Sequence, residues 1–273
     1  MSSRTSRNHK RIGIALGSGG ARGLVHIGIL EVLLKNGFRP EFVAGSSIGA
    51  IVGAYYALHG NIYGLKRTML AMTRRQMLRL SDFGAPSRGL MKGERIREFL
   101  DRLYRGKSFS QTKLPLAVVA TDLATGEEVI MRRGKIVDAV MASITIPGIL
   151  PPVRRGRKIL VDGGLTNPTP VDVVEEMGAE IVVGVDLTFR SRIKFDKELN
   201  ILETLTQSFE VLRARASIDK LKRSKAVIVH PKFRSKLDSY RFYEADRFIR
   251  KGMKEGEKLV KLLKIKMAPE ENQ

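Results

Sequence analysis

Ser47 stands at the centre of Gly45-Ser46-Ser47-Ile48-Gly49, a G-x-S-x-G pattern. An apolar run precedes it and small, apolar residues follow it. That strand–turn–helix context is what a nucleophile elbow requires, and the flanking glycines remove side chains that would crowd so tight a turn. The hydroxyl of such a serine projects from the end of a sheet beside the positive end of a helix. The pattern alone equally fits a Gly/Ser-rich turn; its context favours the elbow. Ser46 is the competing hydroxyl, but only Ser47 occupies the centre of the motif.

A serine nucleophile needs a base and a place for the oxyanion. Gly17-Ser18-Gly19-Gly20-Ala21-Arg22-Gly23 supplies the second, because glycines let successive N–H groups face one point at a helix start. As a dinucleotide fingerprint the same run fits poorly. Arg22 stands where the third glycine belongs, and Glu41 begins the second strand instead of an acidic residue ending it. Two groups compete for the role of base. His230, at the end of a strand, would complete a Ser-Asp-His order. Asp162, ending a strand before Gly163 and Gly164, could accept the Ser47 proton directly; on its own it reads more readily as a turn aspartate capping backbone N–H groups.

The elements that must position these groups alternate along the chain. Strands are expected at Arg11–Gly17, Glu41–Gly45, Leu116–Thr121, Glu128–Met131, Lys158–Val161, Ile181–Asp186 and Ala226–His230. Helices are expected over 21–36, 48–58, 63–80, 93–104, 136–143, 171–177, 199–221 and 240–266. The last of these gathers Phe242, Ala245, Ile249, Gly256, Leu259 and Leu263 on one face. The 145–153 stretch reads as a Pro-rich loop, and Thr125-Gly126 as a hairpin turn. This alternation predicts a three-layer α/β/α domain with a mostly parallel central sheet over residues 11–266. A basic flexible tail over 1–10 and a frayed tail over 267–273 complete the expected organisation.

Composition bounds the function. The 273 residues contain no cysteine, and four widely spaced histidines, so neither disulfides nor a zinc site is expected. No apolar segment follows the basic N-terminus, which argues against a secretory signal. Phe42–Leu58 is too short and too interrupted by glycines to span a membrane, so a soluble, cytoplasmic protein is expected. The formal net charge is +21. Basic residues crowd Lys66, Arg67, Arg74, Arg75 and Arg79, then Arg154, Arg155, Arg157 and Lys158, then the C-terminal third. Aromatic residues make up only 6% and no nucleic-acid motif is present, so nucleic acid is an unlikely partner. Peripheral contact with an anionic membrane surface suits that charge better; a simply solvated basic surface is the plainer reading.

Taken in order, Gly17-Ser-Gly-Gly-Ala-Arg-Gly23, Gly45-Ser-Ser-Ile-Gly49 and Asp162-Gly-Gly164 resemble the patatin-like phospholipases, in particular their small bacterial single-domain group. Val25-His-Ile-Gly-Ile-Leu30 and Ala142-Ser-Ile-Thr-Ile-Pro-Gly-Ile-Leu-Pro-Pro152 add to the likeness, which spans roughly residues 11–266. The resemblance implies a Ser-Asp dyad without a catalytic histidine and without metal or organic cofactor. Ser47 is then the nucleophile, Asp162 the base, and the Gly19 and Gly20 amides the oxyanion hole. Arg22 holds the loop, and His26 and His230 take structural roles. Ser18 departs from the commoner all-glycine loop. The implied substrates are acyl esters of lipids, with Phe83, Leu90, Met91, Ile146, Ile149 and Leu150 as candidate acyl-site residues. A non-catalytic lipid-binding regulator and a histidine-triad esterase remain the alternatives.

Overall fold

The computed structural model describes residues 10–82, 89–188, 198, 200–233 and 235–268. Its frame is an eight-stranded sheet in the order β5-β6-β3-β2-β1-β7-β8, with β4 also paired to β3. The first three strands are β1 (Ile12–Leu16), β2 (Phe42–Ser46) and β3 (Leu116–Asp122). β4 (Glu128–Met131) and β5 (Val153–Arg155) follow. The last three are β6 (Lys158–Asp162), β7 (Ile181–Val185) and β8 (Val227–Val229). The β3–β2–β1–β7–β8 run is parallel throughout, while β4, β5 and β6 join by antiparallel pairs.

The central strands are apolar on both faces, as a parallel sheet covered by helices requires. Along β1, Ile12, Ile14 and Leu16 enter the larger core while Ala15 enters the smaller one. β7 divides likewise, with Ile181, Val183 and Val185 on one side and Val182 on the other. The larger core lies under α1 (Val25–Lys35), α2 (Ile48–His59), α3 (Tyr63–Ala71), α5 (Glu94–Tyr104), α6 (Ile136–Ser143) and α9 (Ala245–Lys266). The smaller is closed by α7 (Val171–Glu176), through Val171, Val173 and Val174. The expected three-layer α/β arrangement is therefore observed.

Some boundaries differ from those expected. A 3-10 turn occupies Gly20–Leu24, and the first α-helix starts only at Val25. Gly20 adopts φ +57°, outside helical geometry. The segment 63–80 is two helices, α3 and α4 (Arg74–Leu80), because Thr73 and Gln76 form a reciprocal capping box that starts a new helix. The expected loop ended at Val153, but Val153–Arg155 pairs with β6 in an antiparallel hairpin turning at Gly156. The last helix begins at Ala245 and not near residue 240; 3-10 turns at Lys236–Tyr240 and Phe242–Glu244 precede it, and Phe242 belongs to the second. Ala245, Ile249, Gly256, Leu259 and Leu263 form its buried face as expected. The expected tails lie largely outside the described residues.

One long helix differs from the others. α8 (Ile201–Leu221) has Arg213 and Ser217 as its fully buried side chains among those described. It docks through polar contacts. Lys220 Nζ donates to Glu128 at 2.7 Å and Asp172 at 2.8 Å, while Arg213 and Glu210 join the site described below.

Candidate active site

Three chain reversals meet at one level of the sheet. β1 runs into Gly17 and the glycine loop, β2 into Ser47, and β6 into Asp162. Strand register brings the last two together. Ser46 lies opposite Val119 in the parallel β2–β3 pair, and Asp162 lies opposite Ala120 in the antiparallel β3–β6 pair. One step along β3 therefore separates the levels of Ser46 and Asp162, although their strands run in opposite directions.

Ser47 is the N-cap of α2 and holds φ 56°, ψ −124°. A non-glycine residue in this region carries about 1–3 kcal/mol of strain and persists only when its surroundings enforce it. The enforcement is visible. The Ser47 amide donates to the Ser143 hydroxyl at 2.8 Å, and the Ser47 carbonyl accepts from Ala50 N at 2.8 Å. Close approach explains Gly49: a Cβ there would stand 1.9 Å from the Leu16 carbonyl oxygen, so only glycine lets α2 start this near β1.

The Ser47 hydroxyl donates to Asp162 Oδ2 at 2.6 Å. Asp162 Oδ1 accepts from the Gly164 amide at 2.7 Å. The aspartate's backbone is pinned as well, its N–H donating to the Thr145 carbonyl at 2.8 Å and its carbonyl accepting from Thr121 Oγ1 at 2.9 Å. Asp162 is fully buried. Burial pushes its carboxyl up to about 6, against the opposing pull of the Ser47 and Gly164 hydrogen bonds and the Arg213 charge. A carboxylate in that range is ionised at neutral pH yet basic enough to take a proton.

The glycine loop faces the same space. Ser18, Gly20 and Ser47 line one cavity. Gly19 is the N-cap of the 3-10 turn and Gly20 its first residue, positions whose N–H groups precede the first intrahelical bond. Arg22 braces the loop from behind. It is fully buried, its Nε donating to the Gly19 carbonyl at 3.2 Å and its Nη2 to both Glu210 oxygens at 2.9 and 2.8 Å. Arg213 Nη1 donates to Ser18 Oγ at 3.0 Å, and its Nη2 to Glu210 Oε2 at 2.6 Å. Burial opposes ionisation of Glu210, but the two guanidinium charges outweigh it and hold its carboxyl below the ordinary range.

The histidines lie elsewhere. His26 Nε2 meets the Gly17 carbonyl at 2.8 Å inside the core, and burial pushes its imidazole down to about 4, so it is a neutral donor there. His230 Nδ1 lies 3.2 Å from Asp186 Oδ2, beside β8, while the hydrogen-bonding partner of Ser47 is Asp162. His59 stacks near Tyr55, ring centroids 4.3 Å apart.

The cavity beside Ser47 has a volume of about 410 Å³ and is apolar over most of its wall. Ile48 and Ile51 of α2, Phe99 and Leu100 of α5, and Phe209 of α8 form much of it. Of the acyl-site candidates, Met91, Ile146, Ile149 and Leu150 line it. Leu90 does not line it and is exposed. Phe83 lies outside the described residues. The sequence reasoning passed over Ser143, Glu210 and Arg213. Ser143 lay within a quoted motif but carried no assigned role, and the other two sit mid-helix.

This arrangement of glycine loop, serine turn and D-G-G turn matches a known family. The patatin-like phospholipase family model matches residues 14–174, and the chain belongs to that family. An uncharacterised NTE family protein of Mycobacterium tuberculosis is 35% identical over 177 residues, covering 65% of this chain and 49% of that protein. A second from the same organism is 31% identical over 245 residues, covering 80% of this chain and 41% of its own length. Patatin-like phospholipase domain-containing protein 6 of Mus musculus is 31% identical over 181 residues, 64% of this chain and 13% of that protein. The chain thus spans about half or less of these curated relatives. Among solved structures, VipD from Legionella pneumophila superposes with a TM-score of 0.50 at 13% identity, covering 93% of this chain and 67% of VipD. That likeness is one of fold. No described helix is long and apolar enough to cross a membrane.

Proposed function

We propose that the chain is a serine acyl hydrolase of lipid esters, of phospholipase A, lysophospholipase or carboxylesterase type, working through a Ser47–Asp162 dyad. Membership of a phospholipase family supports a lipid hydrolase. The observation that carries the finer reading is the 2.6 Å hydrogen bond from the Ser47 hydroxyl to a buried, oriented aspartate, with Ser47 lining an apolar cavity.

In the proposed reaction the ester carbonyl carbon lies against Ser47 Oγ and its oxygen against the Gly19 and Gly20 amides. Oγ attacks as its proton passes to Asp162 Oδ2, and the carbonyl oxygen becomes an oxyanion held by the two amides. Collapse of this intermediate breaks the bond to the alcohol, which takes the proton back from Asp162. The acyl group remains on Ser47. Water then attacks the acyl carbon, Asp162 accepting its proton, and the fatty acid leaves as Ser47 is restored. No step calls for a metal or organic cofactor. The acyl chain occupies the apolar cavity, and the basic surface meets anionic headgroups from the cytoplasmic side of a membrane. In domain terms, residues 11–266 form the hydrolase.

The test is labelling by a fluorophosphonate probe together with hydrolysis of p-nitrophenyl butyrate. Ser47→Ala abolishes both. Asp162→Asn lowers hydrolysis by about three orders of magnitude, whereas His230→Ala leaves it within about threefold. Undiminished hydrolysis by the Asp162→Asn protein would refute the dyad. A wild type that binds lipid without hydrolysing it would replace the enzyme reading with that of a lipid-binding regulator.

A further inference from the structure

A dyad without histidine raises a charge problem. In a triad the base becomes a cation as the oxyanion forms, so the two new charges face each other. When Asp162 takes the Ser47 proton it becomes neutral, and the oxyanion has no new partner. In a buried site an unbalanced charge is costly.

The buried groups around the dyad resolve this. Glu210 bridges two guanidiniums, and the guanidiniums hold adjacent residues of the glycine loop: Arg213 the Ser18 hydroxyl, Arg22 the Gly19 carbonyl. Arg213 also lies against the turn that carries the base. A Cβ placed on Gly164 would stand 3.1 Å from Arg213 Cδ and 2.7 Å from Ser18 Oγ. Arg213 therefore touches both the turn that carries Asp162 and the loop that bears the oxyanion amides. The charges acting on Asp162 are those of Arg213 and Glu210 from α8; Arg22, paired with the same Glu210, also feels the carboxylate of Asp238. Proton transfer neutralises Asp162 and puts the negative charge on the oxyanion, so the total charge of the site is unchanged. That charge moves from the turn Arg213 packs against to the loop Arg213 hydrogen-bonds.

We propose that Arg213, braced by Glu210, is the positioning residue and fixed countercharge of the dyad, favouring ionised Asp162 before attack and the oxyanion loop's charge after it. The proposal rests on the Ser47–Asp162 reading above. It gives α8 its place in the reaction: a helix docked by ion pairs supplies the permanent cation that a histidine would supply transiently. Arg213 Nε is buried with no hydrogen-bond partner among the described residues.

The experiment compares the wild type with Arg213→Gln, which keeps hydrogen-bonding groups without charge, and Arg213→Lys, which keeps charge without the fork. Two quantities are read. The first is the titration of the Asp162 carboxyl by 13C NMR of aspartate-labelled protein, assigned with Asp162→Asn. The second is the pH profile of kcat/KM on p-nitrophenyl butyrate. For Arg213→Gln the Asp162 midpoint and the acidic limb both move up by about one pH unit or more. Its kcat falls about a hundredfold while KM stays within about threefold. Arg213→Lys keeps the midpoint near that of the wild type and recovers at least about tenfold of the lost kcat. A midpoint unmoved in Arg213→Gln overturns the proposal, as does a lysine variant that falls as far as the glutamine one. Should Arg213→Gln fail to fold, Arg213→Lys decides alone: a midpoint displaced upward despite the retained charge overturns it, and one that stays supports it. If the wild type neither labels nor hydrolyses, the dyad reading fails, and the NMR titration still decides whether Arg213 governs Asp162.

Discussion

The Ser143 hydroxyl accepts the Ser47 amide at 2.8 Å across 96 residues of chain. Ser143 ends α6 and is fully buried, so this bond fixes the strained backbone of the elbow from the neighbouring helix and not from its own loop. Removing the hydroxyl leaves a buried N–H without a partner, which costs about 1–3 kcal/mol. The strained φ of Ser47 can then relax. Ser143→Ala is expected to lower kcat about tenfold with KM little changed, and to slow fluorophosphonate labelling in proportion. Kinetics at saturating p-nitrophenyl butyrate check this. Labelling at the wild-type rate would mean that the elbow is held without Ser143.

The raised carboxyl of Asp162 links activity and stability to pH in opposite senses. As a base it must be ionised, so kcat/KM is expected to fall about tenfold per pH unit below about 6. An aspartate whose folded value of about 6 exceeds its ordinary 3.8 binds its proton more tightly in the folded chain. Its contribution to stability is therefore fully present below about pH 4 and lost as pH rises through about 6. At pH 8 the ionised, buried carboxylate opposes folding by on the order of 2–3 kcal/mol. Asp162→Asn, neutral at every pH and able to keep the Gly164 contact, should melt higher than the wild type at pH 8 while losing activity. Urea titrations of both proteins at pH 5 and pH 8 measure it, and an equal gap at the two pH values would contradict the linkage.

Ser47 and Asp162 were legible in the sequence as candidates because their signals are local, and the family resemblance, not spacing, chose Asp162 over His230. A strand, glycines and a helix start surround Ser47 within a few residues, and Asp162 precedes two glycines. What positions the dyad was not legible, for reasons of distance and direction. Ser143, Glu210 and Arg213 act on residues 96 to 195 positions away. On α8, Glu210, Arg213, Ser217 and Lys220 recur at helical spacing, which an amphipathic reading assigns to the solvent side. Glu210, Arg213 and Lys220 face inward because each meets opposite charge there. Strand direction was hidden too. Asp162 was expected at the functional edge simply because it ends a strand, yet β6 runs antiparallel to β3 and reaches the serine through register. Its hairpin with β5 forms where prolines at 151 and 152 had suggested only loop.

Ile51 stands one helical turn beyond Ser47 on α2 and lines the cavity. Position 51 therefore controls the depth of the acyl site close to the reacting carbon without touching the dyad. Ile51→Trp fills space that a long chain needs and a short one does not. The ratio of kcat/KM for p-nitrophenyl octanoate over acetate should fall about tenfold or more, in line with what one or two methylenes contribute in an apolar pocket. Activity on acetate should stay within about threefold, which separates pocket filling from damage to the elbow. A parallel loss on both esters would place the acyl chain elsewhere.

α4 borders the same cavity through Met77 and Leu80 while its Arg75, Leu78 and Arg79 face solvent. Leu78 is 69% exposed on a helix with no fully buried residue. An apolar tip among arginines, at the edge of an apolar cavity, suits a surface where acyl chains lie beneath anionic headgroups. Each arginine near such a surface contributes about 1 kcal/mol. Arg75→Ala combined with Arg79→Ala is then expected to weaken binding to phosphatidylglycerol vesicles by roughly thirtyfold. Hydrolysis of a soluble ester should be unchanged, since neither side chain reaches the cavity. Co-sedimentation in the inactive Ser47→Ala background measures binding without turnover, and raising the salt should weaken it because exposed charges are screened. Binding to phosphatidylcholine vesicles as strong as to phosphatidylglycerol, and indifferent to salt, would show that the basic surface plays no part in reaching the lipid.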